Sequence, residues 1–228
     1  MNKKDRALLF GMLLGDGCLK TKKHTKDDGV VSTYYEYVMC HSIKQEDYLK
    51  HKLEIFHSIM GGKKPKISYE SRQLGNACKF SRCHKNFRLL HKYLYSNNDK
   101  KFFTRRVLNW LDEHALAMWY MDDGGLKPTK RKDGTISSCQ LGLWTYCSEE
   151  EADTILSYFN EVWSIQPKKA FYSKNGRWNI IFNTSEGKKF EALIAPYVIK
   201  SMSYKLPSLR ITRVLDTQTD NAEGDDIV

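Results

Sequence analysis

Two short segments hold the residues with the most chemical promise. Leu13-Leu14-Gly15-Asp16-Gly17 and Tyr120-Met121-Asp122-Asp123-Gly124 each close an apolar stretch with an Asp-Gly pair. An acid after an apolar helix is most often a solvated helix end, so either copy alone says little; the pair says more. Small residues at Gly11 and Gly15, one turn apart, and at Ala115 and Ala117 in the second copy let two helix backbones approach closely. The tips then meet, and Asp16 and Asp123 project into one shared site, where neighbouring carboxylates repel unless cations lie between them. Oxygen-only ligands favour Mg²⁺, with Mn²⁺ as a substitute. Backbone carbonyls of Gly15 and Asp122 are expected to complete the protein's share of the coordination. The Asp122 side chain has the weaker case, because its counterpart in the first copy is Gly15. Metal held in this way activates a water for attack on phosphorus and stabilises the leaving oxygen, and one aspartate per strand gives a double-strand cut.

Both segments belong to a longer repeat. Lys64-Pro65-Lys66 answers to Gln166-Pro167-Lys168, Phe80 and Phe87 to Phe182 and Phe190, and Lys101 to Lys205, in unchanged order. Matched positions stay about a hundred residues apart, drifting only as loop lengths would make them drift. Each copy reads as α-β-β-α-β-β-α. In the first, helices are expected over 5–15, 44–60 and 84–95, with strands over 18–26, 34–41, 64–70 and 77–82. In the second, helices are expected over 112–123, 148–163 and 185–195, with strands over 126–132, 137–146, 168–173 and 178–183. Ser148-Glu149-Glu150-Glu151 has the form of a capping box. The fold class is therefore α+β: duplicated units related by a pseudo-twofold, an N-terminal half over 1–100, a C-terminal half over 101–215, and an acidic tail, 216–228, that reads as disordered.

Composition agrees with a folded, polyanion-binding chain. Of 228 residues, 41% are hydrophobic, including 10 Phe, 13 Tyr and 5 Trp, enough to form a substantial core. The formal charge is +10, and because the tail carries five acids and no Lys or Arg, residues 1–215 hold an excess of 15 positive charges. Such a field attracts nucleic acid. No apolar run long enough to span a membrane is present. The cysteines, six in all, suit reduced thiols in an intracellular compartment, cytoplasm or organelle matrix. Cys78, Cys83 and His84 lack a second ligand pair at zinc-binding spacing.

At this point the chain resembles a known family. Phe10-Gly11-Met12-Leu13-Leu14-Gly15-Asp16-Gly17 and Ala117-Met118-Trp119-Tyr120-Met121-Asp122-Asp123-Gly124-Gly125 resemble the two signature helices of single-chain LAGLIDADG homing endonucleases. Lys100-Lys101 and the stretch from Tyr197-Val198-Ile199 to Tyr204-Lys205-Leu206-Pro207 are similar to the intron-encoded monomeric branch, and the likeness runs from about Leu8 to Pro207. The resemblance implies a monomeric, metal-dependent nuclease acting on double-stranded DNA at a long asymmetric target, with cleavage across the minor groove and short 3′ overhangs. It implies that Lys101 and Lys205 flank the two scissile phosphates as catalytic partners of Asp16 and Asp123.

Strand alternation then suggests how DNA is held. Lys20, Lys22, His24 and Lys26 alternate with Leu19, and Lys66, Ser68, Glu70 and Arg72 with Ile67 and Tyr69. In the second half Lys168, Tyr172 and Lys174 lie opposite Phe171, while Arg177, Asn179 and Asn183 alternate with Trp178, Ile180 and Phe182. With Lys127, these polar faces of two antiparallel sheets would form a basic saddle along the major groove. Two other jobs remain open on the same fold: an RNA maturase that assists intron splicing, and a DNA-binding regulator without catalysis.

Overall fold

A computed structural model describes residues 1–208 apart from positions 26, 28, 30, 74, 96–99 and 133–135. Lys26 and the acidic tail expected over 216–228 lie outside the described residues. The first half runs α1 (Lys3–Leu14), β1 (Cys18–Thr25), β2 (Val31–Ser42), α2 (Glu46–Met60), β3 (Ser68–Glu70), β4 (Ala77–Cys83) and α3 (Phe87–Leu94). A single turn, α4 (Arg105–Leu108), leads to the second half: α5 (Glu113–Asp123), β5 (Gly124–Lys130), β6 (Ile136–Cys147), α6 (Glu149–Trp163), β7 (Lys168–Tyr172), β8 (Arg177–Phe182) and α7 (Thr184–Ile194). The two units repeat one element order, as the sequence suggested. The short α4, capped by the Thr104 side chain, was not expected, since one turn leaves no periodic signal.

Helices α1 and α5 lack the usual polar face. Every residue from Ala7 to Leu14 is buried, and so is every residue from Ala115 to Met121. A helix apolar on all sides belongs inside the molecule, and these two pack against each other between the sheets. Asn2 starts α1 by accepting from the Asp5 amide at 2.8 Å, and Asp112 starts α5 by accepting from the Ala115 amide at 2.8 Å. Gly11 makes the approach possible: a Cβ there would lie 2.4 Å from the Ala115 carbonyl oxygen, so no larger residue fits without moving a backbone.

The sheets are antiparallel and four-stranded, with matching orders β1-β2-β4-β3 and β5-β6-β8-β7. Register sorts their faces. Leu19 pairs with Tyr37, and Met39 with Phe80; all four are buried on the face that α2 and α3 cover. Tyr37 stacks on Phe56 of α2 with ring centroids 4.6 Å apart. In the second sheet Leu141 pairs with Phe182 and Leu143 with Ile180, and Phe182 stacks on Phe190 of α7 at 4.4 Å. Burial of these faces is the main force holding each helix to its sheet. The expected capping box opens α6: the Ser148 hydroxyl accepts from the Glu151 amide at 3.2 Å, and the Glu151 carboxylate accepts from the Ser148 amide at 2.7 Å.

Two sequence expectations fail locally. The strand expected over 64–70 shrinks to Ser68–Glu70, so Lys66 precedes β3 and Arg72 follows it, and neither takes part in the alternation expected with Ser68 and Glu70. In β6 the pairing with β8 shifts between Leu143 and Cys147, and Tyr146 sits inside the irregularity at φ 44°. This left-handed backbone in a tyrosine marks a bulge held by its surroundings.

Candidate active site

The site lies where α1 and α5 end side by side. The Asp16 amide donates to Asp122 Oδ2 at 2.9 Å, tying the first tip to the second. Trp119, one turn back on α5, donates its indole N–H to Asp123 Oδ2 at 3.2 Å. Burial, then the charge of Asp122, pushes the Asp16 carboxyl upward, although its side chain keeps 45% exposure. Burial, then the carboxylates of Asp122 and Asp16, pushes Asp123 up to about 7. Asp123 thus feels the charge of both Asp122 and Asp16, and Asp16 feels that of Asp122, as a crowded acidic site requires.

Lys101 and Lys205 arrive from outside the tips and take equivalent places. The Lys101 ammonium donates to the carbonyls of Leu13 (2.8 Å), Gly15 (2.6 Å) and Gly17 (2.9 Å). Lys205 donates to the carbonyls of Met121 (2.6 Å) and Asp122 (2.9 Å). Carbonyls at a helix C-terminus lack partners within the helix and carry partial negative charge, which a lysine meets well. Burial lowers the pKa of both lysines, and the nearby carboxylates oppose that shift. Lys101 is fixed by the pairing of its backbone with Tyr95; the carbonyl of Lys205 accepts from the Tyr120 hydroxyl at 2.8 Å. The carbonyls of Gly15 and Asp122, expected to complete the metal coordination, each accept an ammonium and keep one lone pair for another partner.

The Asp122 side chain, which the sequence gave little weight, is deeply engaged. Its Oδ1 accepts from Lys52, and neither side chain of this ion pair is exposed. Lys52 also lies 3.1 Å from His41 Nε2 and 4.3 Å from the centre of the Tyr48 ring, while His41 Nδ1 lies 3.4 Å from Asp16 Oδ2. Burial, then the charge of Lys52, drives the His41 pKa down to about 4, so the ring is neutral. Sequence reading missed both residues. The available signal was phase: Lys52 falls on the buried stripe of α2 with Tyr48, Leu49, Leu53 and Phe56, and His41 is in step with Tyr37 and Met39 on β2.

These donors suit a hard divalent cation at the tips. Among the described residues, neither Asp16 nor Asp123 forms an ion pair with a lysine or arginine, so both carboxylates keep oxygens to offer. The donor set there is oxygen alone, as Mg²⁺ or Mn²⁺ prefers. One ligand atom each from Asp16, His41 and Asp122 also falls within 4.8 Å of the others. That second cluster is a poorer place for a cation, because the Lys52 ammonium already meets Asp122 and His41.

Away from the tips, the sheet faces not covered by helices carry most of the expected polar residues. Lys20 pairs with Glu36, Lys22 with Tyr34 and His24 with Ser32, all out of step with the buried Leu19; the three basic side chains are exposed. Ser68 pairs with Lys79, and Glu70 with Ala77. Lys79 and Ser81 therefore join this face, though sequence alternation passed them over. Glu70 is held by Lys79 and by Arg72, the latter at 2.8 Å, and Lys22 meets Glu36 at 2.9 Å. In the second sheet Lys168, Tyr172 and Arg177 share the open face by register, with Lys127 on exposed β5, and Lys174 lies in the exposed turn between β7 and β8. Asn179 is a correction. It is 4% exposed, and its Oδ1 accepts from the Tyr146 amide at 3.1 Å, so it supports the bulge instead of reading DNA. Asn183 likewise caps α7, accepting from the Glu186 amide at 3.0 Å.

Comparison with known proteins agrees with this geometry. Protein RecA of Mycolicibacterium flavescens is 29% identical over 211 residues, which cover 87% of this chain and 45% of that protein; the chain thus spans about half the length of that relative. Probable intron-encoded endonuclease 1 of Wickerhamomyces canadensis is 26% identical over 222 residues, covering 90% and 85% of the two chains. The solved structure of the homing endonuclease I-WcaI bound to its DNA recognition sequence matches with a TM-score of 0.71 at 26% identity, over 90% of this chain and 86% of that one. The family model for LAGLIDADG DNA endonucleases matches residues 6–190, so the chain belongs to the LAGLIDADG DNA endonuclease family.

Proposed function

We propose that this chain binds double-stranded DNA as a monomer, along the open faces of its two sheets, and hydrolyses one phosphodiester in each strand of a long asymmetric target. The observation that carries the reading is the meeting of the α1 and α5 tips, where the Asp16 amide bonds Asp122 at 2.9 Å and, among the described residues, neither Asp16 nor Asp123 pairs with a lysine or arginine. Divalent-metal dependence is general in the family. Asp16 and Asp123 would hold the metal, Mg²⁺ or in its place Mn²⁺, with the carbonyls of Gly15 and Asp122 beside them. When bound, such a cation activates water and stabilises the leaving oxygen. Lys101 and Lys205 put positive charge next to each acid, where negative charge grows on phosphorus oxygens during attack. Lys20, Lys22, Lys66, Lys127, Lys168, Lys174 and Arg177 supply cations to the DNA backbone or to base edges, with His24, Ser68 and Tyr172 beside them. Two unequal halves in one chain suit a target without symmetry. The six cysteines, spread through a chain large enough to need no disulfide staples, suit a reducing compartment.

A plasmid-library cleavage assay with and without Mg²⁺ tests the reading. Site-specific double-strand cleavage is expected with metal only, and Asp16→Asn or Asp123→Asn is expected to abolish it while DNA binding persists. Full activity in both variants rejects the assignment. Intron RNA is the second reading; an intron transcript that competes with target DNA at equal affinity would favour it.

A further inference from the structure

The buried contacts beneath Asp16 close into a ring. The Asp16 amide donates to Asp122 Oδ2 at 2.9 Å, and Asp122 Oδ1 accepts from Lys52. Lys52 reaches His41 Nε2 at 3.1 Å, and His41 Nδ1 faces Asp16 Oδ2 at 3.4 Å. An ammonium has donors and no acceptor, so the imidazole nitrogen facing Lys52 must present its lone pair. In a neutral ring the hydrogen then sits on Nδ1, the nitrogen that lies 3.4 Å from Asp16 Oδ2, and the Gln45 side chain also bonds this ring. That closing contact is the longest in the ring, as catalytic contacts often are before substrate binds.

Among the described residues the ring exists in one half only, and a steric reason accounts for its acid. Asp122 occupies the space beside Gly15, its counterpart, and a Cβ on Gly15 would lie 2.2 Å from Asp122 Oδ2. Only one tip can carry the extra acid. Asp123 is steadied instead by the Trp119 indole of its own helix.

Resting on the cleavage reading above, we propose that His41 and Lys52 are positioning residues that aim the Asp16 carboxylate, and that they govern hydrolysis of one DNA strand and not the other. Lys52 is the charged keystone: it neutralises Asp122 and sets the His41 tautomer. His41 transmits that choice to Asp16. The cluster of Asp16, His41 and Asp122 is thus an internal support of the site, in which Lys52 and the Asp16 amide already meet the acceptors of Asp122 and His41 while Asp16 keeps oxygen to offer.

Two measurements test this on the full chain. The first needs no activity: nitrogen-15 NMR of labelled histidine in the metal-free protein. Hydrogen on Nδ1 of His41, with Nε2 bare, is expected; hydrogen on Nε2 overturns the ring. The second follows supercoiled target plasmid through nicked to linear product in Mg²⁺. His41→Ala is expected to slow one strand about tenfold, the scale of one hydrogen bond to a charged group, while the other strand keeps its rate. Nicked circles then accumulate. His41→Asn, which restores a donor near the Nδ1 position, is expected to recover most of the lost rate. Equal slowing of both strands, unchanged rates, or no recovery with asparagine overturns the proposal. Should the wild-type protein fail to cut, the cleavage reading falls, and the tautomer measurement still decides the ring.

Discussion

Gly15 and Asp122 are counterparts in the two helix tips, and the side chain of one fills the space that a side chain on the other would need. A Cβ added to Gly15 would lie 2.2 Å from Asp122 Oδ2 and 2.4 Å from Asp122 Cβ, far inside contact distance. A duplicated site has become unequal at this point, because the acid fits only beside a glycine. Gly15→Ala must therefore push the tips apart. We expect a stability loss of about 1–3 kcal/mol, typical of overpacking a tight interface, read as a lower urea midpoint. Cleavage should fall further than stability explains, since the Asp16 amide loses its place against Asp122. An unchanged midpoint would show that the tips have slack.

The Lys52–Asp122 pair makes a sharper demand. With both side chains fully buried, removing either partner strands a charge in the interior. Lys52→Met and Asp122→Leu are each expected to cost on the order of 3–5 kcal/mol. The double variant removes both charges together and should cost clearly less than the two singles combined. Denaturant unfolding of the four proteins gives the coupling directly, and simple additivity would mean that the pair is not a unit.

A third prediction concerns the bulge in β6. The buried Asn179 Oδ1 accepts from the Tyr146 amide, at a residue whose φ of 44° disfavours any side chain. Asn179→Leu leaves that amide without its acceptor, at an expected cost of about 1–3 kcal/mol. Tyr146→Gly relieves the backbone, by about 1–2 kcal/mol, but forfeits the edge contact with Tyr172 at 5.9 Å. Thermal unfolding should therefore drop for the first variant and change little for the second. Equal drops would place the strain elsewhere.

How far the sequence foretold this site depends on what each residue's signal was. Asp16 and Asp123 were legible because duplication gave two copies of one pattern, and Lys101 and Lys205 because they kept their offset. Lys52 was not, since a lysine on a helix normally reads as solvated; only its phase with Tyr48, Leu49 and Phe56 marks it as buried. Asp122 was underrated for the reason that makes it informative: its counterpart is a glycine, which looked like absence of a role and is instead the space the acid requires. Asn179 was misread because period-two alternation sorts residues by face and cannot foresee a bulge whose amide needs a buried acceptor. The capping box and most strand positions came through because their chemistry is local, whereas the strand expected over 64–70 shrinks to Ser68–Glu70.

Neighbouring lysines on β7 provide the last test, since the pleat sends them to opposite faces. Lys168 pairs with Ile181 and is exposed on the open face. Lys169 pairs with the buried Ile180 and reaches α6, meeting Glu149 at 2.8 Å and Asp153 at 2.7 Å. If the open face holds DNA, Lys168→Ala should weaken binding across all sequences and reduce the slope of log affinity against log salt by about 1, as loss of one phosphate contact does. Lys169→Ala should leave that slope unchanged, because its charge is already matched by two acids on the far side of the sheet. A salt titration of both variants by fluorescence anisotropy decides between the faces. Were Lys169→Ala to lower the slope and Lys168→Ala to leave it, DNA would have to lie against the helices, and the assignment of the open sheet faces to DNA would be lost.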